Sequence, residues 1–262
     1  MMLSKWHEER AQRNKNIADF TPKEKRKQAV GAINDFPQDR VCTYMTKHAE
    51  AMFEPKKIIS QGDWLVSQRE GHQMFNSYKQ GNGNIKWIRK QKNKLYLFLM
   101  DNSFTEEEVE KYKLYAQAFF PNTVVDVLKR PDFLTKAKVE CRDSFYCGGK
   151  QYRTCGKNGI LNKLPMYKPM DAYAVAALTN EDLYPGPNWS FCFGWASFTE
   201  GVGTFSFKRY DPEFDGIDDP DRNKNFLMRA CHIMTHEIGH MFGLRHCIYY
   251  ECLMNGLMSA NE

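Results

Sequence analysis

The fold of this chain is decided by one run of residues, which reads His236-Glu237-Ile238-Gly239-His240-Met241-Phe242-Gly243-Leu244-Arg245-His246. His236 and His240 are four residues apart, so on a helix they lie one turn from each other on the same face and can share a cation. Glu237 follows the first histidine and can accept a proton from a metal-bound water. Gly243 can adopt positive φ and end the helix, after which the chain turns back and His246 supplies a third nitrogen.

Three imidazoles leave one position of a tetrahedral Zn²⁺ open, and an open position distinguishes a catalytic zinc site from a structural one. The alternative is an amphipathic helix with solvated or core histidines. That alternative gives no reason for the glycine and the third histidine to occur together at this spacing. The run therefore predicts a zinc ligand set of His236, His240 and His246, with Glu237 as the catalytic residue.

The residues after the third histidine narrow the class of enzyme. Cys247, Cys252 and Met254 extend the run to H-E-x-x-H-x-x-G-x-x-H-C-x4-C-x-M. Met254 occupies the position of the Met-turn that lies beneath the zinc in metzincins. The extended pattern resembles the signature of the archaemetzincins. Thr179–Tyr184 and Phe193–Ser197 also resemble that family's two strands before the active-site helix, so the resemblance covers about residues 93–262.

The resemblance implies an α+β, metzincin-like zincin fold, with a mixed twisted sheet, an active-site helix, a Met-turn and a mostly helical N-terminal extension. It implies a peptidase that uses a zinc-activated water with Glu237 as general base, and aminopeptidase-like action on short peptides. A catalytically inactive protein that keeps the zinc site is the alternative function. A second alternative is an interaction module in which the N-terminal extension recruits a partner.

The two cysteines are only part of what the resemblance implies. In the family, they join a second C-x-x-C pair to hold a structural zinc, and that second pair is expected beyond residue 262. Two thiolates are too few to close a tetrahedral zinc site. Cys247 and Cys252 are therefore either free thiols or part of a site with other ligands. A shortened chain of this kind motivates the inactive alternative.

Composition and charge agree with a globular enzyme. The chain has 42% apolar residues and eight cysteines. No apolar run reaches the length of a spanning helix, and residues 1–10 lack the apolar core of a signal peptide. These features predict reduced thiols, a cytoplasmic or nuclear location and no membrane partner. Composition and charge do not determine the oligomeric state.

Charge suggests a division of the chain into residues 1–92, a basic extension, and residues 93–262, the peptidase domain. Residues 1–92 carry 18 Lys and Arg against 10 Asp and Glu, a net charge of +8, and the remainder carries −3. Because no nucleic-acid module accompanies the basic residues, a solvated face is favoured over a nucleic-acid surface. A peptide substrate is the predicted partner.

The remaining pattern predicts a strand, helix, strand order that implies a parallel crossover. A capping box of Ser103 with Glu106, or of Thr105 with Glu108, is expected at the start of the first helix. The resemblance makes the penultimate strand an antiparallel edge strand on the upper rim of the cleft. The predicted strands are Leu95–Leu99, Thr123–Leu128, Ala172–Leu178, Phe191–Ser197 and Gly203–Lys208, and the active-site helix is expected from about Phe226 to Gly243.

Overall fold

The computed structural model describes residues 54, 56, 64–67, 70–71, 73–80, 92–121, 123–144, 148–197 and 199–256. These residues belong to two compact units, one of residues 84–243 and one that combines residues up to 83 with residues from 244. Most of the predicted N-terminal extension lies outside the described residues. Among the residues described, no helix combines the length and the apolar character needed to cross a bilayer.

The strands are, in chain order, β1 Lys94–Leu99, β2 Val124–Lys129, β3 Cys141–Asp143, β4 Lys150–Arg153, β5 Ala172–Thr179, β6 Asp182–Tyr184, β7 Gly194–Ser197 and β8 Val202–Ser206. The α-helices are α1 Trp64–Ser67, α2 Phe75–Gln80, α3 Glu106–Phe119, α4 Phe133–Lys136, α5 Ile160–Lys163 and α6 Arg222–Met241. Three 3₁₀ turns cover Leu164–Tyr167, Lys208–Tyr210 and Pro212–Asp215.

The unit of residues 84–243 is built on a mixed five-stranded sheet in the order β2-β1-β5-β8-β7. The first four strands are parallel, and β7 runs antiparallel to β8 at one edge. The predicted antiparallel edge strand is confirmed, and the predicted strand Ala172–Leu178 lies at the centre of the sheet. β1 and β5 are buried almost throughout because helices or loops cover both faces of the parallel strands, which explains their continuous apolar sequences.

The crossover from β1 to β2 is the helix α3, and its start matches one of the two predicted caps. The side chain of Thr105 accepts a hydrogen bond from the backbone N–H of Glu108, and the Glu108 carboxylate accepts one from the N–H of Thr105 at 2.8 Å. This reciprocal pair is a capping box and fixes the first turn. The alternative cap, Ser103 with Glu106, is not the one used, since Ser103 bonds to Asp101 instead.

A second sheet of three strands, in the order β3-β4-β6, was not predicted. β3 and β4 pair antiparallel, and β4 pairs parallel to β6. Its strands are only three or four residues long and mix charged with apolar residues, so they lack the periodicity that identifies longer strands.

The helix α6 packs against the five-stranded sheet and carries His236, Glu237 and His240. It begins at Arg222, one turn before the predicted start, and its buried residues include Ala230, Met234 and Ile238. Its end is as predicted, because Gly243 has a φ of 88°. A residue with a side chain is strained in that conformation, so the glycine terminates the helix.

The other unit joins early and late parts of the chain through backbone hydrogen bonds. The N–H of Lys56 donates to the carbonyl of Tyr249 at 2.9 Å, and the N–H of Glu251 donates to the carbonyl of Glu54 at 2.8 Å. Within residues 247–255, the buried Asn255 amide donates to the carbonyls of Cys247 and Tyr250 and closes the loop.

Candidate active site

Two of the predicted metal ligands project from the last turns of α6. His236 and His240 lie one turn apart, and their Nε2 atoms are 3.0 Å from each other. The two rings are perpendicular, with centroids 4.7 Å apart. The helix alone sets this geometry, because residues i and i+4 lie on one face. Two nitrogens this close are positioned to bind the same cation.

The third predicted ligand follows the Gly243 turn. His246 lies three residues beyond that glycine, at the start of the segment that leads to Met254. His232, which is one turn before His236 on α6, is exposed.

Glu237 lies on the buried side of α6, and its side chain packs against the edge strand β7. A Cβ atom added at Gly194 would lie 2.9 Å from both Cδ and Oε1 of Glu237, and 3.0 Å from the backbone oxygen of Thr204. Only a glycine allows the strand to approach the carboxyl group this closely. Gly194 belongs to a stretch that resembles a family strand, but no local pattern signals this contact.

Burial controls the chemistry of the Glu237 carboxyl group. Removal from water raises the pKa of Glu237 to about 8, because the charged form loses its hydration. A cation bound by the neighbouring imidazoles would lower the pKa of Glu237, since positive charge favours the carboxylate.

The Tyr210 phenol and the Cys192 thiol are also buried and respond to the charge of Glu237. Burial is the main cause that raises the pKa of the Tyr210 phenol and of the Cys192 thiol, and the charge of Glu237 adds to it in both cases. The Tyr210 hydroxyl is buried without a hydrogen-bond partner in the described structure. Both groups therefore stay protonated near neutral pH and cannot act as bases there.

His246 is held by residues from the early part of the chain. Its Nδ1 atom lies 2.6 Å from Oε1 of Glu70. The indole of Trp64 meets the imidazole edge-on, with ring centroids 5.3 Å apart. The N–H of the preceding residue, Arg245, donates to Oε1 of Gln73 at 3.0 Å. None of these partners was predicted, because they lie far from His246 in the sequence.

Comparison with known proteins identifies the family. The sequence profile of Peptidase family M54 matches residues 173–262. The chain is 32% identical to archaemetzincin-2 of Mus musculus over 256 residues, which is 87% of this chain and 70% of the mouse protein. Archaemetzincin-2 of Rattus norvegicus is 34% identical over the same shares of the two chains.

The chain belongs to the archaemetzincin family. The membership confirms the resemblance found from the sequence and the enzyme class predicted from it, a zinc metallopeptidase. Among solved structures, the archaemetzincin from Methanopyrus kandleri is similar, with 24% sequence identity, a TM-score of 0.46, and coverage of 67% of this chain and 87% of that one.

The cysteine pair of this archaemetzincin lies directly after the third histidine. The Cys252 thiol donates a hydrogen bond to Cys247, which lowers the pKa of Cys247 to about 6 and raises that of Cys252. The N–H of Cys247 also donates to the carbonyl of Met254 at 2.7 Å, so the loop returns on itself as a turn. Both cysteines are free thiols in the structure.

Asp182, at the start of β6, forms a buried ion pair. Its two oxygens accept hydrogen bonds from Nε and Nη2 of Arg209 at 2.8 and 2.7 Å. The amide of Gln151 donates a third bond to it at 2.7 Å. The Arg209 guanidinium also lies 3.9 Å from the ring centroid of Phe191. These contacts tie the short sheet of this archaemetzincin to the 3₁₀ turn Lys208–Tyr210 that follows β8.

Proposed function

We propose that this archaemetzincin hydrolyses peptide bonds with a zinc ion bound by His236, His240 and His246, and with Glu237 as the general base. The observation that carries the proposal is the close pair of imidazoles on α6 with the buried Glu237 carboxyl group beside them. A surface or core helix has no reason to bring two histidines together next to a buried carboxyl group.

The donor set fits zinc. Neutral imidazoles are good ligands for Zn²⁺, which binds nitrogen at about 2.0–2.1 Å. In a tetrahedral site, two such nitrogens lie about 3.3–3.4 Å from each other. The observed separation of 3.0 Å between the two Nε2 atoms needs only a small rotation of either ring to reach that value. The zincin arrangement, with the Met254 thioether beneath the three imidazoles, is part of the same proposal.

Zinc, when bound, would polarise the scissile carbonyl and lower the pKa of a coordinated water. Glu237 then has two tasks. Its carboxylate accepts the proton of the attacking water, and the resulting acid delivers that proton to the leaving amine. The close approach of Gly194 on β7 holds the carboxyl group in place and keeps bulk water away from it.

The substrate we propose is an extended peptide that binds along β7. This strand pairs with β8 on one side and is the edge of its sheet. A peptide can add to such an edge through main-chain hydrogen bonds, as in β-augmentation. Gly194 brings that edge against Glu237, so a peptide on it passes close to the proposed base. Short peptides with a free amino terminus are the first substrates to test, since the family resemblance implies aminopeptidase-like action.

The test is the Glu237→Gln variant, assayed on a library of short peptides and analysed for zinc. The amide keeps the size of the side chain but cannot take the proton, so we expect zinc at the wild-type level and a loss of about 10²–10⁴-fold in kcat. The matched control is Glu181→Gln, which alters another glutamate whose pKa burial raises. It should keep wild-type turnover.

Two results would contradict the proposal in different ways. Near-wild-type turnover of Glu237→Gln would remove Glu237 as the base. Stoichiometric zinc in the wild type, lost in His240→Ala, together with no cleavage of any peptide in the library would instead support an inactive zinc-binding protein.

A further inference from the structure

The Glu70 carboxylate makes a short contact to the third histidine. Oε1 of Glu70 is 2.6 Å from Nδ1 of His246, although 176 residues separate the two in the sequence. Both side chains are mostly shielded from water, with 22% of Glu70 and 18% of His246 exposed. Because a bond between a carboxylate and a ring N–H is charge-assisted and partly desolvated, it holds the ring firmly.

This contact decides which nitrogen of His246 is available to a metal. A carboxylate oxygen only accepts, so Nδ1 must carry the proton. In the neutral ring with the proton on Nδ1, the lone pair that can bind a metal is on Nε2. Carboxylate partners on the far nitrogen of a metal-binding histidine fix the tautomer and the ring orientation, and they make the ligand nitrogen more basic.

The neighbouring contacts serve a different purpose. The edge of the Trp64 indole packs against the imidazole and limits its tilt. Gln73 accepts a hydrogen bond from the backbone N–H of Arg245 and so holds the main chain. A Cβ atom at Gly256 would lie within 2.4–2.6 Å of Trp64 atoms, so the indole is packed tightly from that direction as well. Of Glu70, Trp64 and Gln73, it is Glu70 that places a charged acceptor on a ring nitrogen of His246.

We propose that Glu70 is a positioning residue for the metal centre, which orients His246 and fixes its Nδ1–H tautomer so that Nε2 is presented to the metal. The predicted N-terminal extension thereby supplies a component of the centre. The inference rests on the proposed function to the extent that His246 is taken as a zinc ligand.

The test measures zinc affinity of the full chain by competition between Zn²⁺ alone and a coloured chelator, without a peptide substrate. Loss of a carboxylate partner of a ligating histidine typically weakens metal binding about 10–100-fold, and we expect this for Glu70→Ala. Glu70→Gln should weaken it less, because the amide oxygen still accepts the bond but the negative charge is gone. Gln73→Ala is the matched control and should bind zinc as tightly as the wild type.

A second readout uses the metal-free protein. Nitrogen-15 NMR of the histidine rings should show a protonated Nδ1 at His246 in the wild type and in Gln73→Ala, and loss of that preference in Glu70→Ala. If Glu70→Ala does not fold, Glu70→Gln decides the question, because it keeps the size and the acceptor.

The outcomes separate this inference from the function it rests on. Wild-type zinc affinity in Glu70→Ala, or an equal loss in Gln73→Ala, would overturn the role of Glu70, since the second result would mean general loosening of the segment. Wild-type zinc affinity in His246→Ala would instead remove the third ligand and with it the proposed zinc site.

Discussion

The Gly194→Ala substitution introduces a methyl group where β7 meets the proposed catalytic glutamate. The new Cβ would lie 2.9 Å from Cδ of Glu237 and 3.0 Å from the backbone oxygen of Thr204. Carbon atoms prefer a separation of about 3.5–4.0 Å, so the strand and the carboxyl group must move apart by about 0.6–1 Å. Neither side yields easily, because Glu237 lies on a buried helix face and Thr204 belongs to a fully buried strand.

The size of the effect follows from this crowding. An extra methyl in a closely packed interior costs about 1–3 kcal/mol, and the Gly to Ala change recovers about 0.4–1 kcal/mol by restricting the unfolded chain. We therefore expect a net loss of about 1–2 kcal/mol in the free energy of unfolding. The displaced carboxyl group should lower kcat/KM about 100-fold, the penalty typical of a 1 Å error in the position of a reacting group.

Urea denaturation and peptide hydrolysis measure the two effects separately. Gly186→Ala is the control, because a Cβ at that position has no atom within 4 Å. It should be as stable as the wild type or slightly more stable, and equally active. If Gly194→Ala matched Gly186→Ala in both assays, β7 would not confine Glu237, and the account of how the base is held would be wrong.

Two further predictions concern ion pairs away from the metal centre. Asp182→Ala removes the carboxylate that pairs with the buried guanidinium of Arg209 and should lower the free energy of unfolding, measured in urea, by about 3–5 kcal/mol. The double variant Asp182→Leu with Arg209→Met should recover most of this loss. Because the pair of Asp143 with Lys150 is exposed, an equal loss in Asp143→Ala would contradict this reasoning. Asp211 has its pKa lowered mainly by its hydrogen bonds from Arg222, so it stabilises the fold fully above its unfolded pKa and loses this contribution as the pH falls through the lowered value. Acid titration of unfolding should show a smaller loss of stability in Asp211→Asn than in the wild type, and identical curves would remove this carboxyl group from the acid response.

The sequence predicted the parts of the fold that depend on local patterns. Leu95–Leu99 is a continuous apolar run and forms a buried parallel strand, and Thr105 with Glu108 forms the expected cap. Gly243 ends α6 because its position needs positive φ, a requirement visible from residue type alone. Family membership confirms the resemblance that the histidine run carries, and the roles of its individual residues stay predictions.

The parts that the sequence did not predict depend on contacts between distant residues. The second sheet brings Gln151 next to Asp182 through pairing of β4 with β6, and neither strand is long enough to show a period. The contact of Gly194 with Glu237 and that of Glu70 with His246 are set by tertiary packing. A glycine in a strand or a glutamate in a basic segment has no distinguishing neighbours that would reveal such a role.

Some predictions are untouched by the structure. The division at residue 92, a cytoplasmic or nuclear location, the absence of a nucleic-acid partner and the metal-binding role of Cys247 and Cys252 stay predictions. Elemental analysis of zinc in the wild type and in Cys247→Ser would address the last of these.

The hydrogen bond between Glu70 and His246 has a consequence for how the enzyme matures on the ribosome. The 176 residues that separate the two must be translated between the appearance of one partner and that of the other. At about 5–20 residues per second, this takes about 9–35 seconds. Throughout that interval Glu70, Trp64 and Gln73 have been synthesised without the histidine segment that they hold. Assembly of the metal centre is thus a late event, and a nascent chain stalled before His246 carries the early half of the site without the ability to complete it.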